Sequence, residues 1–444
     1  MREPTLGDAP RASTTPAPAF RALLGSPRAL LAVVVALAFA VRAVFLARPG
    51  VYWVFNDDSD YYLALARGLA GGCGFAPLYG QCGPPEVVRT PGYPAFLVPF
   101  LAHLRAVILV QAALGAVACL LVARFAAGRY GARAAVIAAV FVAADVPTIL
   151  VTKEIMSEAL FQCLAAGAVV VALRRRGALW GALCGALLGA GVLVRPVGAV
   201  LIPVSVGALL RHRQWRGAFS ALAVSTLVVL GWAARNDRRA GILTVTTEGA
   251  ASLYTLTAPG IVARRSGAPF QAVQDSFRLA GEQRFRAVHG DTTYWGSAAL
   301  PAGSRFMLAA ALPIIVGHPI DAVAITLTGF AEIAFRPYVL ETGWQGFIRR
   351  RPVFEAVRSV STAVQCALLV LLWTGVARAA TRARDDADRW ALLAAGVLLI
   401  LAASPFPGNT SVRFRSPAMP FLAVLAGAGW GVTRRPGAGR LDHA

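Results

Sequence analysis

The sequence predicts an all-α polytopic membrane protein with about 10–12 transmembrane helices. Three observations carry this. The 444 residues are 57% hydrophobic and 15% charged, whereas a soluble domain has about 45–50% apolar and a quarter charged residues. Apolar runs of about 20 residues recur, each long enough to cross a bilayer. Short arginine clusters separate many of these runs, as in cytoplasmic loops. A β-barrel would need alternating segments of about 10 residues, which are not seen.

Taken in order, residues 1–28 are rich in Pro, Ala, Ser and Thr and read as a disordered cytoplasmic tail. The first apolar run contains Arg42 and lacks a clear small-residue cleavage site, so it reads as a retained span. Candidate spans lie at about 29–47, 104–125, 133–151, 155–173, 178–194, 196–210, 217–234, 310–335, 360–378, 390–404 and 416–433. Together with its loops, 29–434 forms one membrane domain, followed by a basic tail at 435–444. Arg124, Arg129 and Arg133, then Arg174 to Arg176, then Arg211, Arg213 and Arg216 mark the inner side. The outer side then receives the 48–103 loop, the turn near Thr152–Glu154, the turn at Arg195-Pro196, the 235–306 segment and Pro405–Arg415. After residue 300 one helix per apolar run leaves the basic clusters on inconsistent sides, and His318-Pro319 is the expected break.

The 48–103 loop is expected to hold a helix at Tyr61–Leu69, a Gly/Cys/Pro-rich turn and the stretch RTPGYPAF. The 235–306 segment is expected to contain strand-like pieces such as ILTVTT, so the cap over the membrane part is expected to be small and mixed. Net charge is +21, nearly all from arginine, with Lys153 the only lysine. Membrane topology accounts for that balance without a nucleic-acid partner. Cys119, Cys163, Cys184 and Cys366 lie in apolar runs and read as small core residues. Cys73 and Cys82 share one polar loop, where they form either a disulfide, if the compartment is oxidising, or two free thiols.

Asp57, Asp58 and Asp60 crowd together beside the first span. Asp57 suits a helix N-cap. As a chemical group it needs partners on the same side, and several are in reach. Arg89 precedes the stiff Pro91-Gly92-Tyr93-Pro94 element. Glu154 and Glu158, four apart, are expected on one helical face. Arg195, Arg235 and Arg413 stand at ends of apolar runs, where arginines either snorkel or hold an anion. Arginine forks hold a lipid phosphate, and a carboxylate removes a proton from an acceptor.

The order D-x-x-x-Y from Asp57 to Tyr61, R-x-P-G-Y-P from Arg89, Ser157-Glu158, Arg195-Pro196, W-x-x-R-N from Trp232 and R-x-R-x-P from Arg413 resembles the C-type-fold membrane glycosyltransferases. The most similar group is glycosyltransferase family thirty-nine, with the protein O-mannosyltransferases and the lipid A aminoarabinose transferases. The resemblance covers residues 29 to about 430. It implies a polyprenyl-phosphate sugar donor in the bilayer, an extracytoplasmic acceptor (protein, lipid or glycan) and inversion at the anomeric centre. Asp57 is then the general base, with Asp58 as a second acid where the family often has Glu or Ser. Tyr61, Arg89, Tyr93, Glu158, Arg195, Arg235 and Arg413 are the implied substrate-binding residues. No metal ligand set is evident among the five histidines. Two adjacent carboxylates are able to bind a divalent cation, which is the one cofactor left open. Two rival readings use the same charges: a transporter or flippase of lipid-linked sugars, which should show repeat symmetry, and a noncatalytic binding protein.

Overall fold

The computed structural model describes residues 26–44, 57–290, 301–339, 350–382, 386–406 and 411–431, with Asp57, Val288 and His289 described for the backbone alone. The expected tails fall almost wholly outside these residues.

Helices occupy all eleven expected apolar runs. The first is α1, Pro27–Ala43, opened by a Ser26 side-chain cap and Pro27. The loop helix α2 spans Asp57–Ala70. A two-stranded hairpin follows, β1 Leu78–Tyr79 against β2 Gln81–Cys82, turning at Gly80 with φ 79°. The short α3, Gly92–Leu97, leads into the long α4, Leu104–Tyr130, which stops at Gly131 with φ 93°. The run expected at 133–151 is divided between α5, Ala132–Ala144, and α6, Val146–Val151. Asp145 breaks it in extended backbone and caps α6 by accepting the Thr148 N–H. Then come α7 Glu158–Arg174, α8 Ala178–Val194, α9 Leu201–Arg211 and α10 Trp215–Ala240.

The cap contains α11 Glu248–Ser252, α12 Ala258–Ser266 and α13 Phe270–His289, with a π-turn at Leu253–Thr257 between the first two. The last part consists of α14 Pro301–Gly317, α15 Pro319–Phe335, α16 Arg351–Thr381, α17 Ala387–Ala403 and α18 Met419–Trp430. The expected break at His318-Pro319 bends α14 against α15 by 98°.

Among the described residues, α4, α10 and α16 are each long and apolar enough to cross a membrane, and the bent pair α14–α15 makes up to four such elements. The bundle packs closely where small residues meet. A Cβ on Gly181 of α8 would stand 2.2 Å from the Gly217 carbonyl oxygen of α10, and one on Gly429 of α18 would stand 1.9 Å from that of Gly375 in α16. Arg42 is fully buried and spends its guanidinium on the carbonyls of Ala38 and Val142, at 3.0 and 2.9 Å.

Two expectations are corrected. ILTVTT, Ile242–Thr247, is no strand. Its threonines bond locally, Thr244 Oγ1 donating to the Thr246 carbonyl at 2.8 Å, and Thr247 N–H crosses to the Val87 carbonyl at 3.0 Å. Beyond it the segment is helical up to His289 apart from the link at 267–269, so the only strands among the described residues are β1 and β2. Glu154 and Glu158 do not share a helical face, because α7 begins at Glu158 and Glu154 lies in the turn before it. The helix that carries Arg235 and Asn236 runs on past the apolar stretch: α10 continues to Ala240 and ends at left-handed Gly241.

Candidate active site

The site is built on the loop between α2 and α3. The Cys73–Cys82 disulfide closes its first part, with Cα atoms 5.6 Å apart. Beyond the hairpin the chain turns around the Glu86 side chain, which is 2% exposed. Glu86 Oε1 accepts the N–H groups of Val88 and, at 2.6 Å, Arg89, while Oε2 accepts the Tyr61 hydroxyl. A carboxylate holding two successive amides fixes the backbone just where Arg89 leaves it. Burial, and next to it the charge of Glu86, push the Tyr61 hydroxyl far above its ordinary pKa, so it stays a donor.

Arg89 joins the two cap loops. Its Nη2 donates to Asp58 Oδ1 at 2.5 Å and its Nη1 to Glu248 Oε1, 159 residues away. Burial opposes the charge on Arg89. Glu248, Tyr62 and Asp58 outweigh it, so its pKa lies above the ordinary guanidinium value. The second Asp58 oxygen faces Arg413 Nη2 at 3.8 Å. Arg413 and Arg195 both approach the Phe414 ring, at 5.3 and 5.9 Å from its centroid. Arg195 in turn meets Glu158 at 2.9 Å and donates to Ser157 Oγ at 2.9 Å. Glu158 is 1% exposed in the first turn of α7, where the helix dipole favours its charge. Gly92 lets this assembly close, since a Cβ there would stand 2.7 Å from the Leu193 carbonyl oxygen beside Arg195.

Of the residues singled out in the sequence, Asp58, Arg89 and Arg413 therefore converge, with Arg195 and Glu158 joined to them through Phe414. Asp57 begins α2 beside Asp58; its side chain lies outside the described residues. Three others are occupied elsewhere. Tyr61 is held by Glu86. Tyr93 is fully buried and donates to Gln111 Oε1 at 2.7 Å, while Gln111 Nε2 binds the carbonyls of Thr152 and Glu154 at 3.0 and 2.8 Å. Arg235 donates to the backbone carbonyls of Glu86 and Phe75 at 2.8 and 2.9 Å and lies over the Trp232 ring.

Glu86 and Glu248 were not foreseen. Glu86 had a readable signal, as the single acidic residue between Asp60 and Asp145; Glu248 had none. Among the described residues no three His, Cys, Asp or Glu side chains group as a metal site. Asp58 faces two guanidinium groups, whose charge opposes a divalent cation there. The Asp57 side chain, the other half of the expected carboxylate pair, lies outside the described residues.

No protein-family model and no curated protein matches the sequence. Solved structures do match. The Archaeoglobus fulgidus oligosaccharyltransferase in the apo form superposes with a TM-score of 0.50 at 15% identity, over 91% of this chain and 50% of that one. The archaeal oligosaccharyltransferase AglB from the same organism, in complex with an inhibitory peptide and a dolichol-phosphate, gives 0.49 at 14% identity, over 90% and 50%. ArnT from Cupriavidus metallidurans, bound to undecaprenyl phosphate, gives 0.41 at 16%, over 90% and 77%. At such identities the likeness is one of fold, carried by the apo oligosaccharyltransferase. The chain spans about half the length of the oligosaccharyltransferases it matches. It is an all-α membrane protein with the C-type glycosyltransferase fold.

Proposed function

We propose that this protein is a multi-pass membrane glycosyltransferase that moves a sugar from a polyprenyl phosphate to an acceptor outside the cytoplasm. The observation that carries the reading is the convergence of Arg89 and Arg413 on Asp58, next in the chain to Asp57. Together with the motif order and the fold, it supports a carboxylate base beside arginines suited to a phosphate. The reaction forms a bond from the acceptor oxygen or nitrogen to the anomeric carbon and breaks the bond from that carbon to the phosphate oxygen. Asp57 takes the acceptor proton. Arg89 and Arg413 neutralise the leaving polyprenyl phosphate, with no metal required. Asp58 and Glu248 keep Arg89 charged and extended before donor binds. Attack from the face opposite the phosphate inverts the centre.

The test is sugar transfer from a panel of radiolabelled polyprenyl-phosphate sugars, with wild type and Asp57→Asn purified in parallel. Transfer by the wild type and a loss of about 10²–10⁴-fold in the variant are expected for a missing general base. Equal transfer by both sinks the assignment of Asp57. No transfer from any donor by folded wild type sinks the transferase reading.

A further inference from the structure

We infer that the groove between α1 and α4 is a binding site for one anionic glycerophospholipid. The groove is open on one side, has a volume of about 630 Å³ and is lined by Leu31, Val35, Phe39 and Leu120, with Arg28 and Arg124 also on its wall. Gly115 of α4 lies against the Arg42 side chain of α1, and the same groove reaches Arg28 and Arg124. The two helices therefore run antiparallel, and the two arginines share one end. Both are exposed, and neither is paired with a carboxylate among the described residues. Only apolar side chains line the remainder.

The dimensions select the ligand. From Arg28 to Phe39 is eleven residues, or about 16 Å of helix. That is close to half the ~30 Å hydrocarbon thickness of a bilayer. An apolar slot one leaflet deep, ending in two guanidinium groups at headgroup level, matches one acyl chain beneath a phosphodiester. A much longer polyprenyl chain would outrun it. Arginine forks also distinguish an anionic headgroup from a zwitterionic one, whose own cation they repel. The arginine end of the groove lies away from the candidate active site. Gln111, which anchors Tyr93, lies thirteen residues along α4 from Arg124, roughly 20 Å away. Arg133, in the first turn of α5, adds positive charge on the same side, whereas Arg129 is held by Asp386 and Asp388 at 3.0 and 2.7 Å.

The experiment is native mass spectrometry of delipidated full-length protein in detergent, titrated with phosphatidylglycerol or with phosphatidylcholine of the same acyl chains. One tightly retained phosphatidylglycerol per chain is expected, with phosphatidylcholine weaker. Arg28→Gln with Arg124→Gln should weaken retention about fivefold for each arginine. Ala36→Trp, at an exposed wall position of the groove, should reduce phosphatidylglycerol binding without altering charge. Equal retention of the two lipids overturns the inference. So do unchanged binding in the double variant, unchanged binding in Ala36→Trp, or a lipid-free dimer with the groove closed by a second copy. The inference does not depend on the transferase reading, since each assay can fail without the other.

Discussion

Glu86 is the residue whose removal should cost the candidate site most. Its carboxylate accepts three donors: Tyr61 O–H, Val88 N–H and Arg89 N–H. In Glu86→Ala all three lose their acceptor. Val88 is 4% exposed, and leaving its amide unpaired costs about 1–3 kcal/mol. The Arg89 amide and the Tyr61 hydroxyl are only part-buried, so water recovers part of their loss and each costs about 1 kcal/mol. The sum is about 3–5 kcal/mol against the closed loop. At about 1.4 kcal/mol per decade, local opening becomes at least a hundredfold more frequent. Hydrogen exchange of the Val88 and Arg89 amides in detergent reads this directly, and a hundredfold acceleration confined to the loop is expected. Glu86→Gln keeps an acceptor for both amides, and the Tyr61 hydroxyl can turn to accept from the new amide. Its acceleration should therefore stay below about tenfold, near 1 kcal/mol. If Glu86→Ala accelerates exchange less than fivefold, or if the two variants behave alike, the carboxylate does not hold the loop and the reasoning is refuted.

Other perturbations separate packing from charge. Arg195→Ala strands the buried Glu158 carboxylate, a loss of about 3–5 kcal/mol in thermal or denaturant unfolding, and Arg195→Gln with Glu158→Gln should recover much of it. Reducing the Cys73–Cys82 bridge, or Cys73→Ser with Cys82→Ser, frees a loop of sequence separation 9. The chain-entropy cost is about 2.5 kcal/mol, read as faster exchange in the hairpin, and unchanged exchange would dismiss the bridge as a constraint. Gly429→Ala places a methyl against the Gly375 carbonyl and should cost about 1–3 kcal/mol in unfolding. Gly207→Ala in α9 meets nothing within 4 Å and should be neutral or stabilising by up to about 1 kcal/mol. Equal shifts for the two glycines would contradict the packing of α16 on α18.

The helices were legible because their signal is local. An apolar run of sufficient length announces itself, and Pro196 and Pro319 show where backbone donors are missing. The breaks at Asp145 and the helical cap beyond Ile242 were less legible, for a physical reason. Thr244 to Thr247 have β-branched side chains that suit a strand, yet no described strand lies beside them. They bond instead to their own backbone and to the loop at Val87 and Val88. Strand propensity describes a fit to a neighbouring surface, and the surface was what the sequence did not disclose.

The arginines make the same point about the site. Arg89, Arg195, Arg235 and Arg413 look alike in sequence, each at the edge of an apolar segment. What separates them is the partner supplied by a distant part of the chain. Arg235 meets backbone carbonyls of Phe75 and Glu86, dipoles that cannot leave, so its role is to fasten α10 to the disulfide loop. Arg195 meets a carboxylate that is 1% exposed, and separating that pair would strand a buried charge. Arg89 meets Asp58 and Glu248, whose side chains are 30% and 40% exposed. Water can solvate those carboxylates, so exchanging one of them for an incoming phosphate costs far less than breaking the Arg195 pair. Arg413 stands 3.8 Å from Asp58, in looser contact still. A partner is therefore exchanged more easily at Arg89 and Arg413 than at Arg195, and that ease is decided by Asp58 and Glu248 as much as by the arginines.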